Sequence, residues 1–580
     1  MNNDIKGEFG EITWQIGGQQ GEGIDSTGDI LASTLNQLGY YLYGYREFSS
    51  RIKGGHTNYR LRISDNPIGA TSHKLHLLIA LDQESLSTQN HFLVPSSIIV
   101  SDENLNVNST KVRHNVVKAP LTRLAEGLGN RVAKNMIALG ISIAIMNLRL
   151  ADFEDIIKQR FSKKGSEIVT LNLAGIESGF DWACQNELLG KLPVKVGDKK
   201  KRLFMAGNQA AALGAIMAGC RFLSAYPITP ATEIMEYLGR QLPDIGGAAI
   251  QTEDEIAAIN MALGAGYAGA RAMTSTSGPG LSLMMETIGL SGMTETPVVI
   301  IDAQRGGPST GLPTKHEQSD LLSAIFGTHG EVPKIVITPT SVSQCFYQTA
   351  NAFNLAEKYQ CPVIVLSDVA LSLGKQTVEP FDAGKIKVDR GQMLFEVDPI
   401  PDENTFFQRY GYTASGVSPR PLPGTKNGVH FVTGLEHDEI GLPADDPALR
   451  TAMMDKRLNK IPDLLPGSTF YHGPDNPDYL LVGYGSTYGP IAEAREMLAN
   501  DGLSVGHLHI LIIWPFPIAE LDYNMETTKN IFIVENNATG QLEGLLDMYS
   551  PYDRKTKPIR KYNGQPFVPF EIYEQIKGRL

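Results

Sequence analysis

The sequence predicts an α/β fold spread over several domains. Three observations carry this. The chain has 580 residues, more than one hydrophobic core sustains, so three or four domains are expected. Short apolar, β-branched runs alternate with segments of helical periodicity. Several of these runs are apolar throughout, as strands of a parallel sheet covered on both faces are.

The order along the chain follows. ITWQIGG reads as a strand, GGQQGEG as a glycine loop, and Ile24 to Leu38 as a helix, which makes a β-loop-α opening. Strands and helices alternate to about residue 175, and residues 1–187 are expected to form the first domain. Residues 188–202 turn polar and basic, ending in Lys199, Lys200, Lys201 and Arg202, and read as a solvated linker. A second domain is expected over 203–375, where AMTSTS, PVVIIDAQ, KIVITP and CPVIVLSD are strand-like and a helix pattern separates each from the next. Residues 376–470 are rich in proline, glycine and charge and read as a long irregular excursion, partly interfacial, since loops of that length are uncommon unless functional. DYLLVGYGST, SVGHLHILIIWPFP and NIFIVENNATG open a smaller doubly wound domain over 471–580.

Composition narrows the function classes. Glycine supplies 58 residues, a tenth of the chain against roughly 7% on average, so backbone-lined sites are expected. A net charge of -12 argues against a protein that neutralises nucleic-acid phosphates or lies on an anionic membrane. Cys184, Cys220, Cys345 and Cys361 have no CxxC spacing, so no local disulfide framework, zinc cradle or iron-sulfur cradle is expected, and no metal ligands are assigned. The opening lacks a signal-peptide pattern and the longest apolar stretch, Met136 to Met146, is too short to span a bilayer, so a reducing cytoplasm is expected.

The most informative stretch is QTEDEIAAINMALGAGYAGARAMTSTSGPG. Glu253, Asp254 and Glu255 fall at a helix start, a placement that the helix dipole alone explains. YPITP, Tyr226 to Pro230, pins the backbone through two prolines and presents the Thr229 hydroxyl at a strand end, where ligands collect in open α/β sheets. Arg305 stands just past a buried strand, before Gly-Gly, and its guanidinium suits a carboxylate. Gly17, Gly18, Gly21 and Gly23 form a loop that suits dinucleotides, pyrophosphates and tight turns alike, and Arg51 and Lys53 add cations of the kind that hold phosphates, with His56 read as structural.

The succession of GGQQGEG, YPITP, QTEDE, TSTSGPG and ENNATGQLEGLL resembles the α subunit of 2-oxoacid:ferredoxin oxidoreductases with the gamma domain fused at its N-terminus, over nearly the whole chain. The resemblance implies a transketolase-like pyrimidine-binding domain for thiamine pyrophosphate, a flanking gamma domain and a smaller C-terminal α/β domain. It implies that Glu253 hydrogen-bonds N1′ of the aminopyrimidine as part of a proton relay, with Tyr226, Pro227, Ile228, Ser277 and Gly278 around the cofactor. Thr229 and Arg305 become contacts to the 2-oxoacid, and Ser309, Thr310 and Lys315, with His316 beside them, are placed to read its far end. Lys315 or His316 is placed to pair with a second carboxylate at that end, which favours 2-oxoglutarate, although a partner's lysine or arginine serves equally well. The glycine loop, Arg51 and Lys53 become coenzyme A contacts.

The GDG motif that holds magnesium and pyrophosphate in thiamine enzymes is missing from the sequence. The resemblance therefore implies a β subunit that supplies magnesium, the pyrophosphate site and a 4Fe-4S cluster, in an (αβ)2 assembly that exchanges electrons with ferredoxin and acyl groups with coenzyme A, in either direction. Sister specificities for pyruvate, branched-chain or aryl oxoacids remain open. So do a scaffold that binds coenzyme A without catalysis and an NAD-linked dehydrogenase, although the glycine loop lacks a clear GxGxxG with a downstream acid.

Overall fold

The computed structural model describes residues 9–48, 55–107, 115–130, 133–398, 406–550 and 556–580. They fold as mixed α/β structure, the class the sequence predicts. The chain divides into two compact units, Met1–Met205 with Gly374–Pro380 and Val568–Glu571, and Ala206–Leu373 with Phe381–Phe567 and Ile572–Leu580.

The first unit is built on a mixed sheet. Its strand Glu11–Gln19 runs parallel to Leu75–Ala80 on one side and antiparallel to His56–Ser64 on the other. The helix expected from Ile24 is Ile24–Gln37, and its Ile30, Leu31 and Leu35 enter the core as the 3.6-residue period requires. The apolar stretch Met136–Met146 lies within and just beyond a core helix, Lys134–Ile145, buried from Asn135 to Ile145. Helix Ser166–Gln185 packs on it at backbone distance. A Cβ on Gly140 would stand 2.0 Å from the Ile176 carbonyl, and one on Gly179 would stand 1.9 Å from the Ile137 carbonyl. Among the described residues, no helix is long and apolar enough to cross a membrane.

The stretch read as a solvated linker is only partly so. Lys199, Lys200 and Lys201 are exposed, but Leu192 and Val194 join the core of the first unit. The Arg202 guanidinium is buried between Asp198, at 2.6 Å, and Glu379, at 2.8 Å, over the ring of Tyr41.

The second unit holds two sheets. The larger orders its strands Ile512–Trp514, Ile335–Ile337, Pro362–Asp368, Val298–Gln304, Arg271–Thr276, Cys220–Ala225 and Ala248–Gln251, all parallel except the first. The smaller runs Thr469–His472, Val505–Ile510, Tyr479–Tyr484, Asn530–Glu535 and Thr556–Arg560, parallel except Thr469–His472. Ile300 and Ile364 of one sheet share a core with Leu480, Leu508 and Ile533 of the other. The sequence segments read separately from residue 206 onward thus lie largely in one compact unit.

The excursion read as irregular contains helix Pro447–Asn459, capped by the Asp446 carboxylate on Leu449 N at 2.9 Å. The Asp-Pro pair was the sequence signal for it. Buried ion groups hold the segment down. Glu357 bonds Arg271 and Arg390, each at 2.8 Å. Glu295 takes Lys456 at 2.5 Å and Lys460 at 3.3 Å. Burial opposes ionisation of Glu295, but the two ammoniums outweigh it and hold the carboxyl at about 2. Burial also brings Lys456 down to about 8, against the pull of Glu295 and with the neighbouring Lys460 adding to the fall.

Candidate active site

Four neighbouring parallel strands of the second unit carry the sequence motifs at their C-terminal ends, the edge at which open α/β sheets bind ligands. Tyr226–Pro230 follows Cys220–Ala225, Ser277 and Gly278 follow Arg271–Thr276, Arg305 follows Val298–Gln304, and the acidic turn follows Ala248–Gln251. Thr252 N donates to Ala225 O at 3.0 Å, which ties the acidic turn to the end of the YPITP strand.

The three carboxylates of that turn have different surroundings. Glu253, the residue singled out from the motif, is exposed. Asp254 caps helix Glu255–Tyr267 by accepting from Ala257 N at 2.7 Å. Glu255 is the buried one, 6% exposed, in the first helical turn. It lies against Gly280, where a Cβ would stand 2.7 Å from Glu255 Oε1 and 2.0 Å from Thr276 Oγ1. No described residue hydrogen-bonds the Glu255 carboxylate. The sequence carried a usable signal for this: helical spacing from Glu255 to Ile259 and Ala262 places all three on the buried face.

Arg305 is 7% exposed and donates from Nη1 to the Thr229 carbonyl at 2.6 Å, while its buried Nε has no partner among the described residues. The structure thus joins two of the residues picked from sequence. Thr229 presents its carbonyl to Arg305 and is itself half-buried, as are Pro227 and Ile228, whereas Tyr226 is exposed. Ser277 is fully buried and its Oγ has no partner among the described residues. Gly278 makes room for Asp320, whose Oδ2 would lie 2.6 Å from a Cβ placed there.

Two acids near Arg305 were not anticipated. Asp302 is fully buried with both oxygens unpartnered. Burial, reinforced by Asp320, pushes its carboxyl well above the ordinary range against the pull of Arg305. Burial likewise brings Asp320 up to about 6. An aspartate inside a strand of otherwise apolar residues was the sequence signal.

In the loop that follows, Ser309 and Thr310 are exposed at the tip and Lys315 is partly buried at the neck. His316 is turned into the interior instead, its Nδ1 3.5 Å from Asp368 Oδ1, where burial lowers its pKa and favours the neutral ring. Such a ring is a poor partner for a substrate carboxylate.

The glycine loop belongs to the first unit. Gly17 and Gly18 serve packing, since a Cβ would stand 2.4 Å from Ser85 Oγ or 2.8 Å from Ile24 Cδ1. Gly21 and Gly23 have positive φ and line a cavity of about 890 Å³ whose walls include Lys134, Phe161, Lys164 and Asn172. Arg51 and Lys53 lie outside the described residues. His56 Nδ1 is 3.1 Å from Asp82, which also accepts from Ser85 Oγ at 2.6 Å.

Cys220, Cys345 and Cys361 are buried, and burial pushes the Cys220 and Cys361 thiols up to about 12. Among the described residues, no group of three or more His, Cys, Asp or Glu is arranged to hold a metal ion.

Comparison with known proteins finds matches over nearly the whole chain. The family model described as pyruvate flavodoxin/ferredoxin oxidoreductase, thiamine diphosphate-binding, covers residues 213–456. The pyruvate ferredoxin/flavodoxin oxidoreductase model covers 13–182, and pyruvate:ferredoxin oxidoreductase core domain II covers 477–565. The 2-oxoacid:ferredoxin oxidoreductase 2 subunit alpha of Aeropyrum pernix is 32% identical over 98% of this chain and 98% of its own. The 2-oxoglutarate synthase subunit KorA of Methanothermobacter marburgensis is 39% identical over 65% of this chain and 98% of its own. The solved 2-oxoglutarate:ferredoxin oxidoreductase of Magnetococcus marinus, with 2-oxoglutarate, coenzyme A and succinyl-CoA bound, superposes with a TM-score of 0.92 at 35% identity, covering 98% of this chain and 100% of that one. The chain therefore belongs to the 2-oxoacid:ferredoxin oxidoreductases, an oxidoreductase family in which its full-length relatives are α subunits.

Proposed function

We propose that the chain is the α subunit of a 2-oxoglutarate:ferredoxin oxidoreductase, interconverting 2-oxoglutarate, coenzyme A and oxidised ferredoxin with succinyl-CoA, carbon dioxide and reduced ferredoxin. The observation that carries this reading is the placement, at strand ends of one parallel sheet, of a buried carboxylate, Glu255, and a buried guanidinium, Arg305, whose Nε has no partner among the described residues. The first fits an aminopyrimidine nitrogen and the second a 2-oxoacid carboxylate.

Thiamine diphosphate fits the residues present. Ser277 Oγ is buried without a partner, and Gly280 leaves the space in which the Glu255 side chain lies. When bound, the cofactor supplies the electron sink for decarboxylation. In this reading the relay assigned from the motif to Glu253 is offered instead to Glu255, which is buried in the first helical turn, whereas Glu253 is exposed in the chain without its partner. Arg305, steadied by the Thr229 carbonyl, orients the substrate carboxylate. Asp302, whose burial favours the protonated form, avoids repelling that carboxylate. Ser309, Thr310 and Lys315 read the far end of the acid.

Coenzyme A is assigned to the cavity beside Gly21 and Gly23, with Lys134 and Lys164 as cations for its phosphates. Magnesium, the pyrophosphate site and a 4Fe-4S cluster are assigned to a β subunit in an (αβ)2 complex acting in the cytoplasm. Support comes from the dispersed cysteines and the missing GDG. Relatives from Aeropyrum pernix and Saccharolobus solfataricus matched over 98% of the chain are named for 2-oxoacids in general, which favours a broader specificity as the second reading. Steady-state kinetics of the purified complex decide between them: turnover of pyruvate equal to or better than that of 2-oxoglutarate rejects the proposed substrate.

A further inference from the structure

The loop between Arg305 and Asp320 is free at one end and tightly held at the other. Its tip, residues 307–312, is exposed. Its neck closes on itself, Gly306 N donating to Lys315 O at 3.0 Å and Leu312 N to Gly306 O at 2.8 Å. Gln304 Oε1 accepts from Asp320 N at 3.0 Å, so the two ends are cross-tied.

Past the neck the loop is received by the smaller sheet. His316 N donates to Gly564 O at 3.1 Å, and Gln541 Nε2 donates to Ser319 O at 2.8 Å. Gln318 is fully buried and makes six hydrogen bonds. Its N–H donates to Asn536 O at 2.7 Å and its Oε1 accepts from Asn536 N at 3.2 Å. Its Nε2 donates to Asp368 Oδ2 at 3.1 Å and to Tyr484 O at 3.3 Å. Its carbonyl accepts from Tyr484 Oη at 3.0 Å and from Asn537 Nδ2 at 3.1 Å. The grips are themselves fixed: Asn537 Oδ1 accepts from Gly540 N at 2.8 Å, and Asp368 accepts from Ser486 Oγ at 2.6 Å. Asn536, Asn537 and Gln541 of the ENNATGQ motif, which bears no chemistry in the proposed function, hold this loop.

We propose that Gln318, gripped by Tyr484, Asn536 and Asn537, is a positioning residue for the substrate-reading loop, so that the smaller sheet sets discrimination among 2-oxoacids while giving no group to the reacting atoms. This rests on the reading that the loop tip meets the far end of the substrate. A residue with every polar group engaged fixes the register of the loop, and the exposed tip inherits that register through the closed neck.

The test uses the complete complex carrying Tyr484→Phe, which removes one of the six bonds and keeps the ring. Two measurements are made: hydrogen exchange of the 305–320 backbone, and kcat/KM for 2-oxoglutarate and for pyruvate. The expected result is faster exchange in the loop and a ratio of the two kcat/KM values driven about three- to tenfold toward one, the scale of a single hydrogen bond, chiefly through KM. Faster exchange with an unchanged ratio overturns the proposal, since the loop then does not read substrate. Unchanged exchange overturns it too. The ratio is judged from whichever acid the wild-type complex prefers, so a preference for pyruvate rejects the substrate assignment and leaves this test standing. Gln318→Met, close in volume without the amide, should give the same shift more strongly.

Discussion

The sharpest test separates two glutamates two residues apart. Replacing Glu255 by glutamine keeps volume and removes the carboxylate that the site offers. Its stability cost is small. The carboxylate has no hydrogen-bond partner among the described residues, and a first-turn acid contributes only about 0.3–1 kcal/mol through the helix dipole. The catalytic cost is large, because a positioned proton-transfer group contributes about 10²–10⁴ in rate. That corresponds to roughly 3–5 kcal/mol of barrier at about 1.4 kcal/mol per tenfold. Glu253→Gln, at a position exposed in this chain, should leave turnover within about twofold, as surface changes usually lie within about 0.5 kcal/mol. The assay is 2-oxoglutarate-dependent ferredoxin reduction by the purified complex, with thermal melts beside it. A Glu255→Gln enzyme that melts normally and turns over normally refutes the assignment, and a dead Glu253→Gln enzyme returns the relay to the residue the motif suggested.

Other outcomes follow from the same structure. Arg305→Lys keeps charge but loses the fork, and should raise KM for the 2-oxoacid by about tenfold or more, since hydrogen bonds to charged groups are worth about 1.5–3 kcal/mol; steady-state kinetics check it. Gly280→Ala drives a methyl into Thr276 and Glu255 and should cost about 1–3 kcal/mol in a denaturant titration together with most of the activity. Glu295→Ala strands two buried lysines and should cost about 3–5 kcal/mol, read by chemical denaturation. In the wild type the Glu295 carboxyl is depressed, so its contribution is complete above an ordinary glutamate pKa of about 4.3 and should fade as pH falls through about 2, which acid titration of stability would follow. Lys164→Ala should weaken coenzyme A binding severalfold in calorimetry and leave the 2-oxoacid KM unchanged.

The fold class and the strand ends that carry the motifs were legible because parallel strands write themselves as apolar runs and the helix from Ile24 as a 3.6-residue period. The meeting of Arg305 with Thr229 was not, since no periodicity links residues 76 positions apart. The burial of Glu255 was half legible: the helical face marked it as inward, but acids at a helix start are explained by the dipole whichever way they point. Asp302 was signalled only by its place inside an apolar strand, and Asp320 not at all, because its nearness to Arg305 is a property of the folded neighbourhood. Helix Pro447–Asn459 was hidden by the proline and charge around it, which read as loop, although the Asp446-Pro447 pair spelled its start.

Strand Ile512–Trp514 follows directly on a strand of the smaller sheet yet hydrogen-bonds the outer strand of the larger one, Ile335–Ile337. It acts as a cover for that edge. A chain ending before Ile512 would expose a short, wholly apolar strand whose unpaired amides and carbonyls invite other chains. Truncated proteins should therefore associate edge to edge rather than persist as monomers, and the border between the two sheets is a poor place to divide the gene for expression.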